Sequence, residues 1–271
     1  MSGRTTQGAA CLQCDKDPLS YSIKHKLCYI GHHRFLPLVH RCRRKKDLLC
    51  IHKDKQHQPE SFSPAELEAE MEKVRHLKPG VGIDFVSKKR KRTDPTPIWK
   101  RRYGLWDLPY WPKLKLRHNL DVMHIDKNIL DSILGTLLEL EGKNKDTYNA
   151  SLDLKTLKIR TTLHMKEVDK NKFTFPLAPY CLTKVRKTCL CQYLYDCTYS
   201  DGFSSNMSKC VNVQTRKVLG LKTHDCHILL QRTLPAGVRG LVDPHIYQAI
   251  ADLGKNFKDL CSKTLERDVL L

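Results

Sequence analysis

The strongest periodic pattern in the chain runs from residue 119 to 138. Leu120, Met123, Leu130, Leu134 and Leu138 recur at helical spacing, joined by Val122, Ile125, Ile129, Ile133 and Leu137. This predicts one helix over 119–138 whose apolar arc is too wide for a surface position, so most of it is expected to be buried. Asp121, His124, Asn128 and Asp131 share one narrow stripe of that helix. A polar stripe on a buried helix needs partners, because unpaired buried carboxylates are costly. Two readings are open: a wet cleft of the kind an active site uses, or a solvated stripe on a half-exposed helix. Asp126 sits about 140° round from Asp121, towards the apolar side.

Other patterns are shorter. Ser63-Pro64-Ala65-Glu66 has an N-cap serine, a first-turn proline and an early acid, which predicts a helix running to Leu77 and stopping before Pro79-Gly80. Residues 139–172 suit a loop followed by short elements, with Leu152, Leu154, Leu157 and Ile159 open to strand or helix. Lys184–Tyr195 reads as a helix with Val185, Cys189, Leu190 and Leu194 inward. Ser200-Asp201-Gly202 is a turn, and Cys210–Val213 a short strand. Two further helices are expected at Thr223–Leu234, from a Thr/Asp cap, and at Pro244–Leu265. No repeat or low-complexity tract is present. Trp99, Tyr103, Trp106, Tyr110 and Trp111 alternate with Arg101 and Arg102. Such a segment either stacks bases and grips phosphates or packs its aromatics against the following helix, and core packing is the commoner use.

Charge adds a partner class. The 271 residues carry a net +19, and residues 1–118 hold 26 Lys and Arg against 12 Asp and Glu. A basic half of this kind suits a polyanion, nucleic acid above all, bound through phosphates. Arg41, Arg43, Arg44, Lys45 and Lys46 form one basic cluster, and Arg101 and Arg102 are further phosphate-binding candidates. Lys88-Lys89-Arg90-Lys91-Arg92 lies in a proline-flanked linker and fits a nuclear-import signal, against the plainer reading of a solvated run. No stretch approaches the roughly 18 apolar residues of a membrane span, so no membrane partner is expected.

Twelve cysteines in a chain with no secretory signal point to metal ligands and buried thiols rather than disulfides. Cys11-Leu12-Gln13-Cys14, then Cys28 and His32, give a C-x2-C-x13-C-x3-H spacing close to that of tetrahedral zinc sites. Such a zinc would be structural, since four protein ligands leave no open position; the alternative is free thiols in a small core. His224-Asp225-Cys226-His227 is a second cluster. Metal or acid–base use competes there with cap duty for Asp225 and core packing for Cys226. No Gly-rich phosphate loop or GxSxG motif occurs.

Three ordered blocks carry a resemblance. Leu108-Pro109-Tyr110-Trp111 followed by Leu116 to Asn128, which contains Asp121-Val122-Met123-His124, resembles the most recognisable segment of plant CACTA-type (En/Spm) transposases of the tnp2 family. Cys28 to Pro37 agrees upstream. Ser200 to Asn206 and Gly220 to His227 agree downstream, with the domain of unknown function that usually follows the transposase core. The resemblance implies a ribonuclease-H-like core using carboxylates and Mg²⁺ to cut and join DNA. It carries Cys11, Cys14, Cys28 and His32 over as metal ligands, with His33 standing where arginine is more frequent. Asp121 and His124 match a D-x2-H signature beside the catalytic acids, and Asp126 stands where the family commonly has glutamate.

In full-length relatives the first acids lie upstream of the Cys-rich segment and the last lies beyond the equivalent of Leu271. The expectation is therefore a truncated, transposon-derived protein. Asp121, His124 and Asp126 would be vestigial catalytic candidates, and Mg²⁺ would be needed only if catalysis survives. The expected fold is α+β, mostly α: a disordered tail (1–10), a basic Cys/His module (11–57), a helix plus basic linker (58–98), the signature segment with a partial ribonuclease-H-like element (99–172), and a mainly helical C-terminal part (173–271). The expected roles are nuclear, non-specific DNA association and pairing with a full-length transposase. The alternative is a stand-alone zinc-dependent nucleic-acid-binding module.

Overall fold

The structure, a computed structural model, describes residues 10–23, 26–44, 57–80, 98–114, 117, 121–169 and 172–264. The chain divides into two compact units: Met1–Asn119 with Asp153–Ile159, and Leu120–Leu152 with Arg160–Leu271.

The first unit opens with the Cys11–Cys14 turn and an antiparallel hairpin of β1 (Ser20–Ser22) and β2 (Leu27–Tyr29), in which Tyr21 faces Cys28. A 3-10 turn, Gly31–Phe35, and a short helix α1 (Arg41–Arg44) follow. Helix α2 (Pro64–Glu72) starts as the sequence predicts. Ser63 accepts from the Glu66 N–H, and the Glu66 carboxylate accepts from the Ser63 N–H, so two otherwise orphaned donors are satisfied reciprocally. The helix ends at Glu72 rather than Leu77, and tight turns carry the chain through Val74 and Leu77.

Those residues join Phe62 and Leu67 in a core with Trp99, Trp106 and Trp111. Trp99 meets Trp106 edge-on, their ring centroids 5.0 Å apart. The indoles are thus core, as expected, but they pack on the helix that precedes them. The reason is burial: α2 is acidic on its outer side and has only Leu67 fully inward, so large aromatic surface has to be brought to it from elsewhere in the chain. Asp15 ties the Cys/His turn to this core. Its Oδ2 accepts the Phe62 N–H at 3.0 Å and lies 3.6 Å from the Arg117 guanidinium.

The second unit contains α3 (Val122–Leu137), α5 (Lys184–Asp196), α6 (Thr223–Ile228), α7 (Leu234–Val238) and α8 (Pro244–Leu260). Helix α4 (Tyr148–Thr156) follows α3 in the chain. Two small antiparallel hairpins complete the set, β3 (Lys166–Asp169) with β4 (Lys172–Thr174) and β5 (Val211–Asn212) with β6 (Lys217–Val218). The mixed helix-and-small-sheet character agrees with the α+β expectation. Among the described residues every sheet has two strands, so the expected ribonuclease-H-like element has no larger sheet to belong to here.

One apolar core holds this unit together. Leu130, Leu134 and Leu137 of α3 meet Leu190, Cys191 and Leu194 of α5 and Leu229, Leu230 and Leu234 of the α6–α7 rod. Two residues expected to face inward on α5 do not. Val185 is 72% exposed, and Cys189 is exposed. The inward face is set by Leu190, Cys191 and Leu194, with Lys187 reaching past it to the Glu139 carboxylate.

Between α6 and α7 the rod widens into a π turn, Leu229–Thr233. Pro235 has no N–H to give to the preceding turn, and the Leu234 N–H goes to the Leu229 carbonyl, five residues back. Helix α8 crosses that turn closely. A Cβ on Gly254 would stand 2.8 Å from the Leu230 carbonyl oxygen, a backbone atom with little room to move. Gly254→Ala is therefore expected to cost about 1–3 kcal/mol, read as a lower denaturant midpoint. An unchanged midpoint would contradict the close crossing.

Candidate metal and acid–histidine sites

In the first unit, the ligand atoms of Cys11, Cys14 and His32 lie within 4.8 Å of one another. The Cys14 N–H points at Cys11 Sγ from 3.3 Å, the bond that shapes a CxxC turn, and His32 Nε2 lies 3.0 Å from the same sulfur. Cys11 and Cys14 are buried, whereas His32 is exposed on the 3-10 turn. Gly31 is needed beside them, because a Cβ there would meet Cys14 Sγ and the Arg34 guanidinium at about 3 Å. Arg34 is 2% exposed. Its Nη1 and Nη2 donate to the side chain and carbonyl of Asp17, both at 2.6 Å, and its Nε donates to the Gly31 carbonyl. Burial pushes the Cys14 thiol up to about 11, reinforced by Cys11 and opposed by Arg34.

Two thiols and an imidazole are the donor set zinc prefers, and a zinc tetrahedron has edges of about 3.5–3.8 Å, given Zn–S near 2.3 Å and Zn–N near 2.0 Å. The 3.0 Å between Cys11 Sγ and His32 Nε2 is shorter than such an edge, so a zinc there would need the His32 ring to swing outward. Cys28, on β2 opposite Tyr21, is not among the three.

The basic candidates divide. Arg41 and Arg101 are exposed. Arg43 donates to the Arg34 and Leu36 carbonyls, at 2.8 and 3.0 Å, and Arg102 pairs with Asp107. These two guanidiniums make bonds inside the unit. The Arg44 side chain, Lys45, Lys46 and the whole Lys88–Arg92 run lie outside the described residues.

In the second unit the signature helix differs from expectation on its polar side. The Asp121 carboxylate accepts the His124 N–H at 3.0 Å and so is the N-cap of α3. Asp121, His124 and Asn128 are all exposed, and Asp131 pairs with Lys143. The stripe is the solvated face of α3 at Asp121, His124 and Asn128. The acid that is buried is Asp126, with no exposed surface. Its Oδ2 lies 2.6 Å from His227 Nδ1 on α6 and 3.4 Å from Gln231 Nε2 on the π turn, and Gln231 Nε2 lies 2.9 Å from the same histidine nitrogen. Cys261, at the end of α8, completes a group with Asp126 and His227 whose ligand atoms lie within 4.8 Å of one another. Burial and the Asp126 carboxylate push the Cys261 thiol up, and its bond with Gln231 pulls the other way. The sequence gives no local hint of Gln231 or Cys261, because each belongs to a different turn of a different element.

Asp225 has the cap role expected of it, and more. Its carboxylate accepts the Lys222 N–H at 3.2 Å, the Ser205 N–H at 3.3 Å and the Ser204 hydroxyl at 3.3 Å. The two downstream blocks, 200–206 and 220–227, are thereby joined through one side chain. Cys226 beside it is fully buried, and burial raises its thiol to about 11.

Comparison with known proteins bears on the first unit. A family model described as Transposase family tnp2 matches residues 1–74. This supports a transposase-derived protein. The matched segment holds Cys11, Cys14, His32 and helix α2, and it stops short of the Asp121 helix. No curated protein and no solved structure matches the chain.

Asp225 sets a pH dependence. Burial alone would raise its carboxyl, but the bonds from Ser205, Lys222 and Ser204 outweigh it and hold the group below its ordinary value. A depressed carboxyl stabilises the fold fully above the unfolded chain's value, and that share is lost as pH falls through the folded one. Asp225→Asn should lower stability at neutral pH and flatten the acid limb of a stability-versus-pH curve below about pH 4. Parallel curves for the two proteins would contradict this.

Proposed function

We propose that the chain is a transposase-derived nucleic-acid-binding protein, of CACTA type, whose first unit is held by a structural zinc and contacts DNA through phosphates. The observation that carries this reading is that the segment matched by the transposase family brings Cys11, Cys14 and His32 together within a strongly basic half of the chain. Zinc there would cross-link the CxxC turn to the 3-10 turn and so fix Arg41, which follows it in the chain. Cys28, on the intervening strand, is proposed as the fourth ligand. Zinc itself supplies folding free energy at such a site, not chemistry.

The proposed role is binding rather than strand cleavage. Asp121, which the resemblance sets beside the catalytic acids, caps its own helix, and Asp126 is turned inward against His227. Non-specific DNA association in the nucleus, with Lys88–Arg92 as the import signal, completes the proposal.

Anisotropy titration of a labelled duplex across a salt series tests it. Log affinity should fall linearly with log salt. Arg41→Ala and Arg101→Ala should each reduce the slope by about one. Cys11→Ser with Cys14→Ser should remove one zinc and weaken binding. Affinity that is flat across the salt series, or indifferent to loss of the zinc, would overturn the reading.

A further inference from the structure

A second cluster of donors, in the other unit, is unconnected with phosphate binding. Asp126 comes from the middle of α3, His227 from α6 and Cys261 from the end of α8, and their carboxylate oxygen, ring nitrogen and sulfur lie within 4.8 Å of one another. Three separate elements converge on one point.

The carboxylate is anomalous where it stands. Asp126 has no exposed surface and faces the apolar side of α3. Its Oδ2 meets His227 and Gln231, but Oδ1 is also buried and, among the described residues, accepts no hydrogen bond. A buried carboxylate with half its acceptor capacity unused is strongly destabilising unless a positive charge answers it. Among the described residues its ion-pair partner is His227, charged only when protonated, and no lysine or arginine pairs with it. A small divalent ion would reach it, and the approach is open because Cys261 is exposed.

We infer that Asp126, His227 and Cys261 form a binding site for a divalent transition ion, with Gln231 as the residue that positions Asp126 and His227. The mixture of one sulfur, one nitrogen and one oxygen donor selects zinc among the abundant divalent ions; calcium and magnesium would take oxygen donors alone. On binding, the S–H bond of Cys261 breaks and its proton goes to solvent, the hydrogen between His227 Nδ1 and Asp126 Oδ2 leaves that contact with the neutral ring keeping its N–H on Nε2, and sulfur, nitrogen and carboxylate oxygen each bond the metal. Three protein ligands leave a fourth tetrahedral position on the Cys261 side for water, unlike a closed four-ligand site. The site also has a structural consequence: the ion would clamp the end of α8 to α3 and α6.

The test uses the full chain with Zn²⁺ and Co²⁺ as probes. In the Cys11→Ser, Cys14→Ser background, which removes the cluster of the first unit, one equivalent of zinc should remain bound after gel filtration. Co²⁺ should give tetrahedral visible bands with a near-ultraviolet thiolate charge-transfer band. Adding Cys261→Ser should abolish the charge-transfer band and weaken zinc at least tenfold. Gln231→Ala, acting through the ligands, should weaken it by about tenfold while leaving the charge-transfer band in place. A background variant that unfolds cooperatively yet holds no zinc would overturn the inference, as would a Co²⁺ spectrum unchanged by Cys261→Ser. If the background variant does not fold, Cys261→Ser in the otherwise unchanged chain carries the decision: loss of one zinc equivalent supports the site, and no loss overturns it. Loss of one zinc equivalent of two on changing Cys11 and Cys14 alone reports on the first unit, and the equivalent that stays bound supports this site.

Discussion

A carboxylate with no access to water, set among the leucines of α3, constrains the second unit more tightly than any other contact in it. Asp126 cannot be left alone there. Its answer is His227, at 2.6 Å, with Gln231 beside it, and this fixes both the rotation of α3 and its register along α6. Leu130, Leu134 and Leu137 then fall onto Leu229, Leu230 and Leu234 by consequence. Apolar packing alone would tolerate sliding by a turn, because leucines exchange for one another at little cost. A polar pair inside the same interface does not tolerate it. The π turn sits where this precision is needed, and it places Gln231 on the same side as His227, one helical turn on.

The first unit is held together by different means. Its helix α2 brings few buried side chains, so three indoles and a Cys/His turn supply the rest. Asp15 and Arg34 are the links. Asp15 ties the turn to Phe62 and Arg117, and Arg34 locks the turn to Asp17. The family match falls on residues 1–74, the segment that holds the Cys11, Cys14 and His32 group.

Much of this was legible in sequence where the signal is local. The N-cap serine and early acid at Ser63 and the buried arc of α3 follow from spacing and side-chain chemistry within a few residues, whereas the caps at Asp121 and Asp243 were not read from the sequence. Even the inward direction of Asp126 follows from helix geometry. Its partners did not follow, because His227 is 101 residues away and Cys261 lies in another helix. The resemblance drew the eye to Asp121 and His124 as a pair lining a cleft, yet a cap acid is held by its own backbone and needs no cleft. Spacing alone pointed to Cys11, Cys14 and His32, whose ligand atoms the fold brings together, and to Cys28, which stands on β2 opposite Tyr21 and outside that group.

A double-mutant cycle on Asp126 and His227 tests the central constraint most directly. Asp126→Asn, His227→Gln and the double variant would be compared by denaturant unfolding with the parent chain. Each single change should be costly, about 1–3 kcal/mol for a buried polar group left without its hydrogen-bond partner, and the pair should couple by about 1–3 kcal/mol. Costs that simply add, with coupling under about 0.5 kcal/mol, would show that the two groups stand near each other without holding the helices in place.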